Sequence, residues 1–168
     1  VALDLLAQRQ VAFAQLKQQG KVLHFGVSNF TPSQVSLLNS RVKVEINQIQ
    51  CSVNYLHPFT DGILDQCQEL KIVPMAWSPL GGGNLFANTD DERTLRIRAV
   101  AEILASQYSS SPDVILLSWL MQHPSNIIPV LGTSKPARIQ AALKAIDIKL
   151  TREEWYMLWR ASTGKEVA

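Results

Sequence analysis

A parallel α/β fold is what this sequence predicts, on three observations. Short apolar runs such as Val73-Pro74-Met75-Ala76-Trp77 are too brief for a typical helix, and they alternate with amphipathic stretches of helical period. Each run ends in polar or conformationally permissive residues: Ser28-Asn29, Asn47-Gln48, Ser78-Pro79 and Gly132-Thr133-Ser134. Strand and helix in alternation give a parallel sheet with right-handed crossovers, and such sheets bind ligands at the carboxyl ends of their strands. The pattern by itself leaves two arrangements open: a doubly wound open sheet, or a run of (β/α) units from an eight-stranded barrel.

Composition narrows the class. The 168 residues suffice for a single domain over 1–168 with a sizeable core. A hydrophobic fraction of 46% with 18% charged residues fits neither a disordered nor a membrane-embedded chain. No apolar run is long enough to span a bilayer. The net charge is only +2 with no basic stripe, so nucleic acid is not an expected partner. Cys51 and Cys67 lack metal-ligand spacing and read as reduced thiols of a cytoplasmic protein. Val1-Ala2-Leu3-Asp4 has no signal-peptide pattern and begins as a helix would continue, so the expectation is a chain cut from something longer.

The elements follow in order. Val1 to Gln19 carries Leu5, Leu6, Phe13 and Leu16 at amphipathic spacing, with Gly20 as the stop. Val22 to Val27 is the first strand, with His24 inside it. Thr31-Pro32-Ser33-Gln34 is a capping box with proline at the first helical position, opening a helix to about Asn39. Val42, Val44 and Ile46 alternate along a second strand, Val42 to Ile49. A loop from Cys51 to Pro58 leads to a helix over about Asp61 to Leu70, and Ile72 to Trp77 is the third strand. Asn84 to Arg93 reads as a flexible polar loop. Leu95 to Gln107 and Ser111 to Gln122 are helices, the latter with Ser111 as N-cap. Ile127 to Leu131 is the fourth strand, and Pro136 to Ile146 its helix. Thr151 and Glu154 form a second capping box at the start of a helix to Ala161.

Four local motifs choose between the two architectures. Gly26-Val27-Ser28-Asn29-Phe30, Asn47-Gln48, Trp77-Ser78-Pro79-Leu80-Gly81 and Pro129 through Ile139 (PVLGTSKPARI) occur in this order and at matching separations. Together they resemble the carboxyl-terminal half of the aldo-keto reductases, most closely the bacterial NADP(H)-dependent oxidoreductases among them. The resemblance covers essentially the whole chain. It implies the TIM (β/α)8 barrel fold, with strands five to eight and their helices present here.

The resemblance also implies roles. Ser28 and Asn29 match the pair that hydrogen-bonds the nicotinamide carboxamide, and Gln48 the glutamine beside it. Trp77 matches the aromatic residue that stacks on the nicotinamide ring. Ser78, Pro79, Leu80, Gly81 and Gly82 match the loop that receives the pyrophosphate. Thr133, Ser134 and Lys135 match the loop near the adenosine phosphate, and Arg138 the arginine that favours NADPH. The side chains suit these roles: a carboxamide needs both a donor and an acceptor, which Asn29 and Gln48 each offer. A flat ring stacks on indole, and a 2′-phosphate suits a guanidinium fork at a helix start.

Each residue also has a plainer reading. Taken singly, Trp77 is core, Ser28-Asn29 a turn or cap, Gly81 to Gly83 a loop, and Lys135 and Arg138 a solvated helix face. The motif order favours the cofactor roles for Ser28, Asn29, Gln48, Trp77 and Arg138, and only in part for Thr133 and Lys135. Tyr55 and His57 read as substrate-loop or packing residues, Trp155 and Trp159 as core anchors, and Cys51 lacks a base that would make it a nucleophile. Two departures from the family stand out. Many members carry Glu and Asn for the adenine where this chain has Ala141 and Ala142, and nothing here matches the catalytic Asp, Tyr, Lys and His of the family's first four strands. The expected function is NADPH-dependent reduction of a small carbonyl substrate, with this chain supplying the cofactor side and no catalytic residue. The alternative is a non-catalytic nucleotide-binding or regulatory half-barrel that self-associates or recruits its missing amino-terminal half. A phosphate-binding barrel lyase or isomerase would explain the glycines but not the Ser28, Asn29, Gln48 and Trp77 set.

Overall fold

Four parallel strands lie side by side in the order β1-β2-β3-β4 in a computed structural model that describes residues 11–166. They are β1 (Gly26–Ser28), β2 (Ile46–Gln50), β3 (Val73–Trp77) and β4 (Ile128–Pro129). Helices α1 (Pro32–Asn39) and α2 (Ile63–Leu70) cross between the first three strands. Helices α3 (Glu92–Gln107) and α4 (Pro112–Met121) lie between β3 and β4, and α5 (Pro136–Leu143) and α6 (Arg152–Thr163) close the chain. The first expected helix falls partly outside the described residues; 11–18 are helical, and Gly20 ends them at φ +69°.

Every expected strand forms, and each is shorter than its apolar run. Residues 22–25 are irregular, so His24 lies outside any strand; its Nδ1 meets the Glu45 carboxylate, which also takes the Lys17 ammonium at 3.1 Å. Pairing starts only at Gly26, where a side chain is not tolerated: a Cβ there would lie 2.9 Å from the Ile46 Cβ. Val42 and Val44 are buried without being strand. Their N–H groups cap α1 instead, donating to Leu38 O at 3.0 Å and to Asn39 Oδ1 at 2.9 Å. Val44 joins a small core with Val35, Leu38, Cys67 and Ile72. β4 holds two residues, Ile128 and Pro129, and Val130 N–H still bonds β3, at Ala76 O 2.8 Å away; Pro129, lacking an N–H, stands on an edge strand where none is needed.

Three further expectations change. Residues 84–93 are not a featureless loop. Gly81–Phe86 forms two short 3-10 turns kinked at Gly82 and Gly83, Leu85 is fully buried, and the Arg98 guanidinium donates to the carbonyls of Leu85 and Ala87. Helix α3 then begins at Glu92, capped by Asp91, whose carboxylate accepts from Thr94 N–H at 2.8 Å. Ser111 has the extended backbone of an N-cap, but its side chain makes no capping bond. Pro136 to Ile146 divides into α5 and a 3-10 turn at Lys144–Ile146. Both expected capping boxes, at Thr31 with Gln34 and at Thr151 with Glu154, are present.

The core fills one face of the sheet. Ile49 and Ala76 meet Leu64, Leu85, Ile97, Leu104, Trp119, Leu120 and Leu158 there. Trp119 and Trp155 stack at 4.7 Å, and each indole N–H donates to the other residue's backbone carbonyl at 3.0 Å. The opposite face, carrying Ile46, Gln48, Val73, Met75, Trp77 and Ile128 in register, is half-buried or exposed. Among the described residues no helix is long and apolar enough to cross a membrane.

The Glu45 cluster predicts a pH dependence. Hydrogen bonds from His24 and then Lys17 hold the Glu45 carboxyl below its ordinary value of 4.5. A carboxyl with a depressed folded value stabilises above its unfolded value and loses that contribution as pH falls through the folded one. Glu45→Gln is expected to lower Tm at pH 7 and to match the parent only once the pH has fallen past the lowered folded value, where the Glu45 carboxyl is neutral as well. An equal Tm difference at pH 7 and at pH 3 in calorimetry would count against this role.

Candidate functional site

The carboxyl ends of β1, β2 and β3 bring four of the expected residues together. In-register pairing sets Ser28 beside Gln48 and Gln50 beside Trp77. Ser28 Oγ donates to Gln48 O at 3.2 Å, and Asn29 N–H donates to the same carbonyl at 2.8 Å. The Trp77 indole N–H donates to Asn29 Oδ1 at 2.9 Å. That bond fixes the indole and leaves the Asn29 side chain its Nδ2 as a donor. Asn29 and Ser78, each directly after its strand, sit in the left-handed region at φ +56° and +50°. Non-glycine residues held there carry backbone strain that clusters at binding sites. Asn47 supports the corner from beneath: buried, it donates through Nδ2 to Phe30 O at 3.0 Å and accepts from Phe30 N–H at 3.4 Å.

A cleft of about 760 Å³ continues from Ser78 toward β4. Ser78, Pro79, Leu80, Gly82, Thr133 and Arg138 line it, as the sequence leads one to expect. Gly81 does not line it; it packs on Asn54, whose Nδ2 would sit 2.6 Å from an added Cβ. Ser134 and Lys135 also lie off its wall, and Lys135 precedes α5 with its N–H on Thr133 Oγ1 at 3.2 Å. Ser28, Asn29, Gln48 and Trp77 lie outside the cleft lining and reach it only through Ser78, the residue after Trp77.

Wall residues that sequence reasoning did not assign to the site include Phe86, Pro112, Asp113 and Leu117. Ala142 completes that end of the wall. Phe86 was hidden in a stretch read as polar loop, and Asp113 drew no reading of its own.

The remaining candidates take structural places. His57 Nδ1 pairs with Asp61 Oδ2 at 2.7 Å, and Asp61 Oδ1 accepts from Ile63 N–H at the start of α2. Burial pushes the Cys51 thiol up to about 12 and Cys67 up to about 11, so neither is a thiolate nucleophile near neutral pH. Trp155 and Trp159 pack against the core, as expected. No group of three metal-ligating side chains occurs among the described residues.

Parallel strands, a polar corner at their carboxyl ends and the cleft beside it define a β/α protein with a candidate ligand site at the strand ends. The model of the aldo/keto reductase family matches residues 9–162, and the chain belongs to that family, whose members are oxidoreductases. It is 42% identical over 160 residues to oxidoreductase YdhF of Escherichia coli (strain K12), covering 93% of this chain and 52% of that protein. It is 37% identical over 159 residues to a 6-dehydroglucose reductase of Agrobacterium fabrum, covering 94% of this chain and 52% of the relative. The chain thus spans about half the length of the curated relatives it matches. The thermostable aldo-keto reductase Tm1743, solved with the inhibitor epalrestat, superposes with a TM-score of 0.82 at 25% identity over 93% of this chain and 54% of that one.

Proposed function

We propose that this chain is the carboxyl-terminal half of an NADP(H)-dependent aldo-keto reductase barrel and supplies most of its cofactor site. The observation that carries the reading is the Trp77–Asn29 bond beside Gln48, at the head of a cleft that reaches Arg138. The residues fit the cofactor's chemistry. Trp77 presents a ring held by its indole N–H, Asn29 and Gln48 offer carboxamide partners, Gly82 lets backbone approach a pyrophosphate, and Arg138 offers a charged fork for a 2′-phosphate. When bound, the nicotinamide would supply a hydride for a small carbonyl compound. This chain's residues would bind and orient; the family's catalytic Asp, Tyr, Lys and His match no residue here.

A second reading, a non-catalytic nucleotide-binding or regulatory half-barrel, draws on the half-exposed inner face of the sheet and its two free edges. One preparation tests both. NADPH is titrated by calorimetry, nitrobenzaldehyde reduction is followed by loss of NADPH absorbance, and the same sample is sedimented at micromolar concentration. Saturable NADPH binding without turnover, in a self-associating species, is the expected result. Absence of NADPH binding would overturn the cofactor site, robust turnover would overturn the division of labour, and a clean monomer would count against assembly through the open face.

A further inference from the structure

The loop after β3 is held from the side away from the cleft. Gln50 and Trp77 are the last in-register pair of β2 and β3, and Asn54 and Gly81 each follow four residues later. The two chains stay in contact beyond the sheet. Cys51 N–H donates to Trp77 O at 3.4 Å, and the Asn54 side chain occupies the place where a Gly81 Cβ would go. That Cβ would lie 2.6 Å from Asn54 Nδ2, 2.8 Å from Oδ1 and 3.0 Å from Cγ, so the flat amide faces the glycine. Ser52 sets the orientation: its Oγ donates to Asn54 Oδ1 at 2.6 Å. Ser52 is fully buried and pairs with Tyr55 across a tight turn, and Val53 O accepts from Ser162 Oγ in the last turn of α6. The turn that carries Asn54 is therefore anchored in the core. The loop it faces has no such anchor of its own: Gly81, Gly82 and Gly83 all sit at positive φ, and Gly82 and Gly83 are exposed. Successive glycines have the most backbone freedom to lose when a ligand binds. A rigid group against the first of them removes part of that loss beforehand.

We infer that Asn54 is a positioning residue for this loop: its amide, oriented by Ser52, backs Gly81 and keeps the loop in the shape that meets a dinucleotide's pyrophosphate. The inference rests on the cofactor reading and adds a residue that serves the site without touching the cofactor. Neither Asn54 nor Gly81 lines the cleft, whereas Ser78, Leu80 and Gly82 do. Asn54 acts through the Gly81 backbone, whose N–H closes the turn on Ser78 O at 2.9 Å.

The probes are NADPH and adenosine 2′-monophosphate, which keeps the base and the 2′-phosphate and lacks the pyrophosphate. In calorimetry, Asn54→Ala is expected to weaken NADPH roughly 5- to 30-fold, the scale of ordering one backbone residue on binding. The monophosphate is expected to bind Asn54→Ala as it binds the parent, which also reports that the variant is folded. Ser52→Ala leaves the amide in place without its orienting bond, and is expected to weaken NADPH roughly 2- to 10-fold. In the Asn54→Ala background the same change is expected to add nothing, because the group it orients is gone. A merely structural part for Asn54 would weaken both ligands alike, and that result would overturn the inference. So would NADPH binding to Asn54→Ala with the parent's affinity, or a Ser52→Ala effect of equal size in both backgrounds. Each of these leaves NADPH binding to the parent intact. Failure of NADPH to bind the parent would instead remove the cofactor reading and the positioning role together.

Discussion

Trp119→Ala is expected to destabilise the protein by about 3–5 kcal/mol, a large part of the roughly 5–15 kcal/mol that holds a domain together. Trp119 is fully buried, stacks on Trp155 at an interplanar angle of 14°, and meets Phe59 at 5.4 Å. Truncation removes the largest side chain of the core and strips Trp155 O of its indole donor. It leaves a cavity walled by rings that pack on one another and have little freedom to collapse. Trp155→Phe separates the two contributions: the ring remains, the bond to Trp119 O is lost, and about 1 kcal/mol is expected. Urea unfolding at 25 °C measures both. A loss under about 1 kcal/mol for Trp119→Ala would mean that the site collapses freely and that the stacked pair is not a stabilising centre. The effect reaches the cleft as well, because Asp113 and Leu117 stand on the same helix as Trp119.

Arg138→Ala is expected to weaken NADPH far more than NADH. Arg138 lines the cleft from the first turn of α5, where a guanidinium and the positive end of the helix act together. A hydrogen bond to a charged group is worth roughly 1.5–3 kcal/mol, so NADPH should lose about 10- to 150-fold. NADH, lacking the 2′-phosphate, should change by less than about threefold, the scale of a surface charge acting at a distance. Arg138→Lys should recover only part of the loss, since an ammonium does not reproduce a bidentate fork. Parallel losses for both cofactors in direct binding would remove Arg138 from phosphate recognition.

The alternation of strands with helices and the corner at the strands' carboxyl ends were legible because they rest on local chemistry, whereas the strand order came only with the motif resemblance. Polar residues after short apolar runs, proline at the starts of α1, α4 and α5, and the two capping boxes each act within a few residues. Strand lengths were not legible. Val42 and Val44 alternate as a strand would, yet neither is strand and Val44 is buried against α1 and α2; periodicity does not say which neighbour does the burying. The stretch after Gly83 looked unstructured because its order comes from Arg98, more than ten residues further along, gripping its carbonyls. Asp113 was invisible as a wall residue for the same reason: what it faces is set by how α4 and α5 lie beside the turn at Gly81–Phe86. Trp77, Asn29 and Gln48 were found through their motifs, whereas the indole bond that joins two of them spans 48 positions and has no local signature.

The edge strands β1 and β4 have only three and two residues. A chain that extended the sheet at either side would therefore gain few backbone hydrogen bonds and find little template for fibril growth. A partner of the kind proposed above would be gripped chiefly by side chains, among them Ile46, Val73, Met75 and Ile128 on the open face. Association of that kind carries a negative heat-capacity change and loosens on cooling. Cold storage, rather than mild warming, is then the condition that would separate such a complex.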